Sequence, residues 1–410
     1  MERAALVISW TATFGAPVGV DAIRDGRRTR SVFTATSPVE RVVVTRIRIP
    51  MKSSWPVATG EAAVKDAILV TLETSSGVAH GEASPAPGSG ALVDDCWAEL
   101  TGLIAPKLLG ASVDCTERIA QAAAGWGAGP IATAGAETAL WDLLGQEHRA
   151  TVAQLLGAVE TQIAMGVESG LAVGLHPSVV ELLRSIEAHL AEGYRRVKIR
   201  IAPGRDLEFA RAVRGHFPDV ELMVDGGGEY TAADADLFRA LDELDLLMIE
   251  QPYAPRDFDA LAELQATLVT PICLDESADT REQTAEAIRR SACKIVNLKL
   301  QRTGGLSAAR AIHDLCFQHG VACWVGSMPE LGLGQAYGVH LGTLANCKYA
   351  SDLEPGARWF VDDIVVPPFE MTSPGQFAVP ARPGVGVQVD AQKVHRYQVE
   401  RREFHRTTTA

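Results

Sequence analysis

Four apolar runs in the second half of the chain, and a fifth just before them, carry charge at their C-terminal ends. Leu222-Met223-Val224-Asp225, Leu247-Met248-Ile249-Glu250 and Ile272-Cys273-Leu274-Asp275 end on an acid. Ile295-Val296-Asn297-Leu298-Lys299 ends on a lysine, and Arg196-Val197-Lys198-Ile199-Arg200 precedes the four. They recur at about 25 residues, the length of one strand plus one crossover helix. Between runs the apolar spacing turns helical, as over Ser178 to Glu192 and at Leu207, Ala210, Val213 and Phe217. Gly193 is a helix stop. Ile163-Ala164-Met165-Gly166-Val167 predicts a first strand. A helix over Leu306 to His319 leads to a strand over Val321 to Gly326, and a further helix reaches Tyr349-Ala350-Ser351-Asp352. Alternation over some 200 residues, with no glycine-rich dinucleotide fingerprint, predicts an α/β fold of modified TIM-barrel type, (β/α)7β-like.

The N-terminal half has a different rhythm. Arg41 to Ile49 and Ala67 to Thr74 read as strands, and Ser75-Ser76-Gly77 as a hairpin turn into Val78-Ala79-His80-Gly81-Glu82. Helical spacing follows over Trp97 to Leu109 and Ala134 to Leu144. The expected organisation is an extension over 1–38, an α+β capping domain over 39–160 and a barrel over 161–364. A Pro- and Gly-rich segment over 365–410 returns to the capping domain and ends in a tail.

Composition narrows the function classes. A chain of 410 residues exceeds one ordinary core. The formal charge of −13, with no basic aromatic stripe, argues against nucleic acid as a partner. No apolar run reaches membrane-spanning length, and no cationic lead marks a signal peptide. The seven cysteines lack CxxC spacing, which predicts buried free thiols in a reducing cytoplasm. The expected partner is a small-molecule carboxylate, and the expected assembly a homo-oligomer.

Charges at equivalent strand ends of a parallel barrel meet at its mouth, where barrel chemistry is built. Asp225, Glu250 and Asp275 form an all-oxygen set with no His or Cys, which predicts Mg²⁺ or Mn²⁺ in preference to Zn²⁺. Lys198, Arg200 and Lys299 flank that set as candidate proton-transfer or anion-holding groups.

These motifs resemble the enolase superfamily, in the muconate-lactonizing group, and within it the o-succinylbenzoate synthase and N-acylamino acid racemase family. The resemblance runs from about Val39 to Asp390. It is densest in Val197 to Asp206, Ile249-Glu250-Gln251-Pro252, Pro271 to Ser277 and Asn297 to Gly305, and Glu137 to Asp142 is similar to the segment leading into the barrel. It implies Asp225, Glu250 and Asp275 as metal ligands, Lys299 as the acid/base on one face, and Lys198 as an assistant near the substrate carboxylate. The implied reaction removes an α-proton to give a metal-stabilised enediolate. Glu82, Trp141 and Arg302 are expected to be architectural. Trp55, Ser327, Met328, Glu330 and Asp352 are the candidate substrate contacts, with Met51 to Trp55 as a loop over the pocket.

The departures from the family pattern carry equal weight. Arg200 stands where the family has the second lysine of a Lys-x-Lys pair, and a guanidinium is a poor proton acceptor at neutral pH. Asp225-Gly226-Gly227 replaces the usual Asp-Ala-Asn. The reading is therefore an isomerase (racemase, epimerase or cycloisomerase) of altered specificity. The alternatives are a lyase working by β-elimination and a metal-binding protein that has lost turnover.

Overall fold

The computed structural model describes residues 34–57 and 60–406, with side chains at all of these except 54–57 and 60. Most of the expected 1–38 extension lies outside them. Strands β1 (Arg41–Val57) and β2 (Gly60–Glu73) pair antiparallel, from Arg41 opposite Glu73 to Val57 opposite Gly60. The segment Met51 to Trp55, expected as a loop, falls within the span of β1, with Met51 to Ser54 lying in a register shift between Pro50 and Trp55 where no residue of β2 is paired with them. The turn at 75–77 leads into β3 (Val78–Ala83). Helix α1 (Pro130–His148) is buried without a break from Ala134 to Gly145, so it has no polar face. It lies tight on β3: a Cβ at Gly81 would stand 2.1 Å from the Gly135 carbonyl oxygen.

The barrel strands are β4 (Leu171–Val173), β5 (Arg196–Arg200), β6 (Glu221–Asp225), β7 (Ile249–Glu250), β8 (Ile272–Leu274), β9 (Ile295–Leu298) and β10 (Ala322–Val325). They form one parallel sheet in sequence order. Its two edges meet through the segment 347–352, where Cys347 bridges Cys323 and Ser351 bridges Ser169. Helix α2 (Val179–Leu190) follows β4, capped by Ser178, whose hydroxyl accepts from Glu181 N.

The expected first strand at 163–167 is corrected by the structure. Glu160–Met165 is a short helix, and the two-residue strand Val167–Glu168 pairs antiparallel with Gln376–Phe377 outside the ring. Glu160 in the first turn favours a helix start. Gly166 ends it at φ 75, where any Cβ would meet the Phe377 carbonyl oxygen at 2.4 Å. The first ring strand is instead Leu171–Val173.

Strand parity sets the mouth. Met223, Met248, Cys273, Ile295 and Trp324 form a buried cluster of their own, the plug inside the ring. Two residues further along the same faces come Asp225, Glu250, Asp275, Asn297 and Gly326. On β5 that face is Arg196, Lys198 and Arg200, with the Arg196 and Lys198 cations 5.2 and 5.1 Å from the Trp324 ring centre.

Helix α3 (Leu306–Gln318) precedes β10, and α4 (Gly332–Gly342) follows it. Glu82 at the end of β3 accepts from Leu331 N and Gly334 N, both at 2.8 Å, which caps α4 from the capping sheet. The chain ends on β11 (Gln398–His405), which pairs with β1 and completes the sheet β11-β1-β2-β3. All seven cysteines are free thiols, five of them buried. Among the described residues no helix is long and apolar enough to cross a membrane.

Candidate active site

The carboxylates stand on three adjacent strands, β6, β7 and β8, with the basic residues on β5 and β9 at either side. Each acid is turned toward cations. Lys198 Nζ donates to Glu250 Oε2 at 3.0 Å, pairs with Asp352, and lies 4.0 Å from Asp225 Oδ2. Arg200 Nη1 donates to Asp225 Oδ1 at 3.1 Å and Nη2 to Glu229 Oε1 at 2.6 Å. Lys299 Nζ donates to Asp275 Oδ2 at 2.8 Å, and Arg302 pairs with Asp275 Oδ1. Glu250 is fully buried, with Asn297 Nδ2 donating to its Oε1 at 2.7 Å.

Crowding of like charges shows in the proton affinities. Burial pushes the Glu250 carboxyl up to about 8; Lys198 pulls it back, while Asp225 and Asp275 add to the rise. Burial likewise lifts Glu276 to about 7, with Asp275 adding to it. Asp275 goes the other way: burial opposes, but Arg302 and Lys299 hold it well below the carboxylate range. Burial would lower Lys198, yet Asp352, Glu250 and Asp225 keep it well above the ordinary lysine value. Lys299 is raised too, because Asp275 outweighs burial.

The loops after the strands lock these positions together. Gln251 Oε1 accepts from Asp275 N at 3.1 Å and Ser277 N at 3.2 Å, and its Nε2 donates to Tyr253 O and Ser277 Oγ, both at 2.8 Å. Gly226 N donates to Glu250 O at 2.9 Å, and Gly228 N to Gln251 O at 2.7 Å.

Lys198, Arg200, Asp225, Glu250, Asp275 and Lys299, the residues of the strand-end pattern, therefore lie in one cluster, and Asp352, expected as a substrate contact, joins it. Asp352 reaches it by pairing with Lys198 and with Arg196, whose Nη2 donates at 2.5 Å. Glu330 is turned back on its own loop, accepting from Ser327 Oγ at 2.6 Å and Met328 N at 3.1 Å. The Met328 carbonyl accepts from the buried Lys65 of β2 at 3.1 Å, which ties this loop to the capping sheet. Lys52 donates to the Ala357 carbonyl, so the β1 arm reaches the segment beyond the ring. The Trp55 side chain lies outside the described residues. Glu82 and Trp141 hold helix and sheet junctions, whereas Arg302 touches Asp275 directly and is closer to the chemistry than expected. Sequence reasoning also missed Asn297, Glu229, Gln251 and Glu276. Asn297 had a usable signal, since it shares a strand face with Lys299.

Asp225, Glu250 and Asp275 suit a hard divalent cation: the set is all oxygen, and its members repel one another. A buried carboxylate oxygen beside them, Glu276 Oε2, has no hydrogen-bond partner. Among the described residues no three acidic, His or Cys side chains already stand as an ion-holding group. Binding an ion would need the Lys198 and Lys299 ammoniums, which stand on Glu250 and Asp275, to give way.

Comparison with known proteins gives a consistent set of matches. Residues 181–393 match the family model for the enolase C-terminal domain-like fold, and residues 40–157 that for the mandelate racemase / muconate lactonizing enzyme N-terminal domain. An o-succinylbenzoate synthase of Geobacillus stearothermophilus is 37% identical over 376 residues, covering 91% of this chain and 99% of the relative. An N-succinylamino acid racemase of Amycolatopsis sp is 35% identical over 350 residues, covering 84% and 94%. The crystal structure of an enolase-superfamily member from Listeria innocua superposes with a TM-score of 0.83 at 30% identity, covering 90% of this chain and 99% of that one.

Proposed function

The chain belongs to the enolase superfamily, in its mandelate racemase / muconate lactonizing enzyme group, and from that membership we propose an enzyme that moves the α-proton of a carboxylate substrate on one face, through Lys299. The observation that carries this reading is the mouth itself. Three carboxylates lie between Lys299 on one side and Lys198 with Arg200 on the other, and Arg200 is committed to two acids. Asp225, Glu250 and Asp275 would hold Mg²⁺, or Mn²⁺ in its place, supplying positive charge against the negative charge that builds on the substrate carboxylate.

Lys299 is the group that removes and returns the proton. Its ammonium can leave Asp275, whereas deprotonating a guanidinium at neutral pH would cost roughly 7 kcal/mol or more, at about 1.36 kcal/mol per pKa unit. Lys198, gripped by Glu250 and Asp352, orients the substrate carboxylate and stays charged. Isomerisation is the class we assign first, since relatives include an N-succinylamino acid racemase; with a single base it takes a form in which Lys299 returns the proton to a different carbon, because inverting the same carbon needs a donor on the opposite face. Elimination of a β-substituent is the second reading. Arg200 favours it, because one base suffices to take the proton, and relatives named o-succinylbenzoate synthase point the same way.

The test is solvent deuterium exchange into a panel of N-acylamino acids, hydroxy acids and dipeptides. The native protein should exchange at least one of them. Lys299→Ala should lower that rate by about 10²–10⁴-fold or more while Mn²⁺ still binds. Exchange retained in Lys299→Ala would exclude it as the base. No exchange by the native protein with any carboxylate would favour a binding protein without turnover.

A further inference from the structure

Gly227 is where the β5 side of the mouth is decided. It has φ 53, and a Cβ there would stand 1.8 Å from Arg200 Nη1 and 1.9 Å from Nη2. No side chain fits on this residue while the guanidinium keeps its place. The guanidinium is held at two points, Asp225 Oδ1 at 3.1 Å and Glu229 Oε1 at 2.6 Å. Gly227 N donates to the same Asp225 oxygen at 2.9 Å. Asp225 Oδ2 faces Lys198 Nζ, 4.0 Å away.

We propose that Arg200, Gly227 and Glu229 form one positioning unit that orients Asp225 and closes the β5 face to proton transfer. Gly227 leaves the room, Glu229 holds the far arm of the fork, and Asp225 presents Oδ2 to the mouth. A planar guanidinium gives each acid an arm of its own, whereas an ammonium would meet both from a single point. Without Glu229 both arms of the fork would turn to Asp225 and occupy both of its oxygens. Only the closing of the β5 face rests on the proton-transfer reading above.

The orienting role is tested by a double-mutant cycle read out as Mn²⁺ affinity. Glu229→Gln should weaken binding about tenfold in the native background and less than about twofold when Arg200→Met is already present, because contacting residues couple. An equal loss in both backgrounds would make Glu229 a simple surface charge and overturn the unit. A second reading comes from Gly227→Ala, which should lower the unfolding midpoint markedly beside Arg200 and far less beside Arg200→Ala. Equal falls would overturn the steric pairing.

For the β5 face the measurement is which enantiomers of an N-acylamino acid exchange in deuterated solvent. Arg200→Lys alone should still exchange one, since Glu229 and Asp225 hold the ammonium. Arg200→Lys with Glu229→Gln should exchange both. Exchange of both by the single variant, or of one by the double variant, would overturn the claim. Absence of exchange throughout would strike the proton-transfer reading, and with it the closing of the face, while the Mn²⁺ cycle still decides whether the unit orients Asp225.

Discussion

At the scale of residues, Gln251 shows how one side chain registers two strand ends. Its backbone is left-handed, φ 34, a conformation that costs a non-glycine residue of order 1–3 kcal/mol unless its surroundings impose it. Here they do: the amide makes four hydrogen bonds, all toward the loops that follow Glu250 and Asp275. Gln251→Leu would strand buried donors at Asp275 and Ser277. The expected cost is about 2–4 kcal/mol in urea unfolding, together with weaker Mn²⁺ binding. Unchanged Mn²⁺ affinity would remove Gln251 from the positioning of the acids. The acids and lysines themselves were legible in the sequence, because parity and a near-constant interval place them without knowledge of any partner. Asn297 shares their strand face and could have been read with them; Gln251, Glu229 and Arg302 could not, because their meaning lies in contacts to other segments, such as Arg302 to Asp275 across 27 residues, which no local pattern records.

At the scale of elements, legibility followed length and alternation. Strand β5, the α2 helix with its Ser178 cap and the turn at 75–77 all have strong local signals, and they stand where the pattern put them. The run at 163–167 failed because a short apolar run suits a helix as well as a strand, and Glu160 before it and Gly166 within it settled the matter. The arm of β1 beyond Pro50 was not read as a strand for another reason: Met51-Lys52-Ser53-Ser54-Trp55 shows no apolar–polar alternation. Helix α4 offers a test of how elements are joined. His340 Nδ1 accepts from Ala153 N at 3.2 Å, and its Nε2 donates to Val385 O at 3.0 Å, so the neutral ring bridges two other segments. Burial pulls its pKa down to about 4. The folded value lies below the unfolded one, about 6.5, so the unfolded chain binds more protons between the two. Its contribution is complete above about pH 6.5 and is lost as pH falls toward 4, about 3 kcal/mol in all. The gap in unfolding free energy between the native protein and His340→Gln should therefore be widest at pH 7 and narrow by pH 4.5. A gap that does not change with pH would show that the ring titrates normally.

At the scale of the whole molecule, first and last strands share a sheet while the charged mouth sits on the ring between them, so site and fold are stabilised together. β11 closes on β1, Glu82 caps α4 across to the barrel, and Lys65 reaches the Met328 carbonyl. The acids of the mouth are paired with its own cations, Lys198 and Arg200 from β5 on one side and Lys299 and Arg302 from beyond β9 on the other. An ion that binds only the folded chain adds stability by mass action, about 2.7 kcal/mol when its concentration is a hundredfold above Kd. Unfolding entropy near 2.1 cal/mol/K per residue makes that a rise of about 3 °C in the midpoint for a chain of this size. Mg²⁺ should produce this rise in the native protein and chelation should reverse it. Lys299→Ala should keep the rise, because it removes a cation and leaves every candidate ligand in place. Glu250→Gln should lose it, since the fully buried member of the set would no longer supply charge. If Mg²⁺ moves the midpoint of Glu250→Gln as far as that of the native protein, the ion binds elsewhere and the assignment of the three strand-end acids falls.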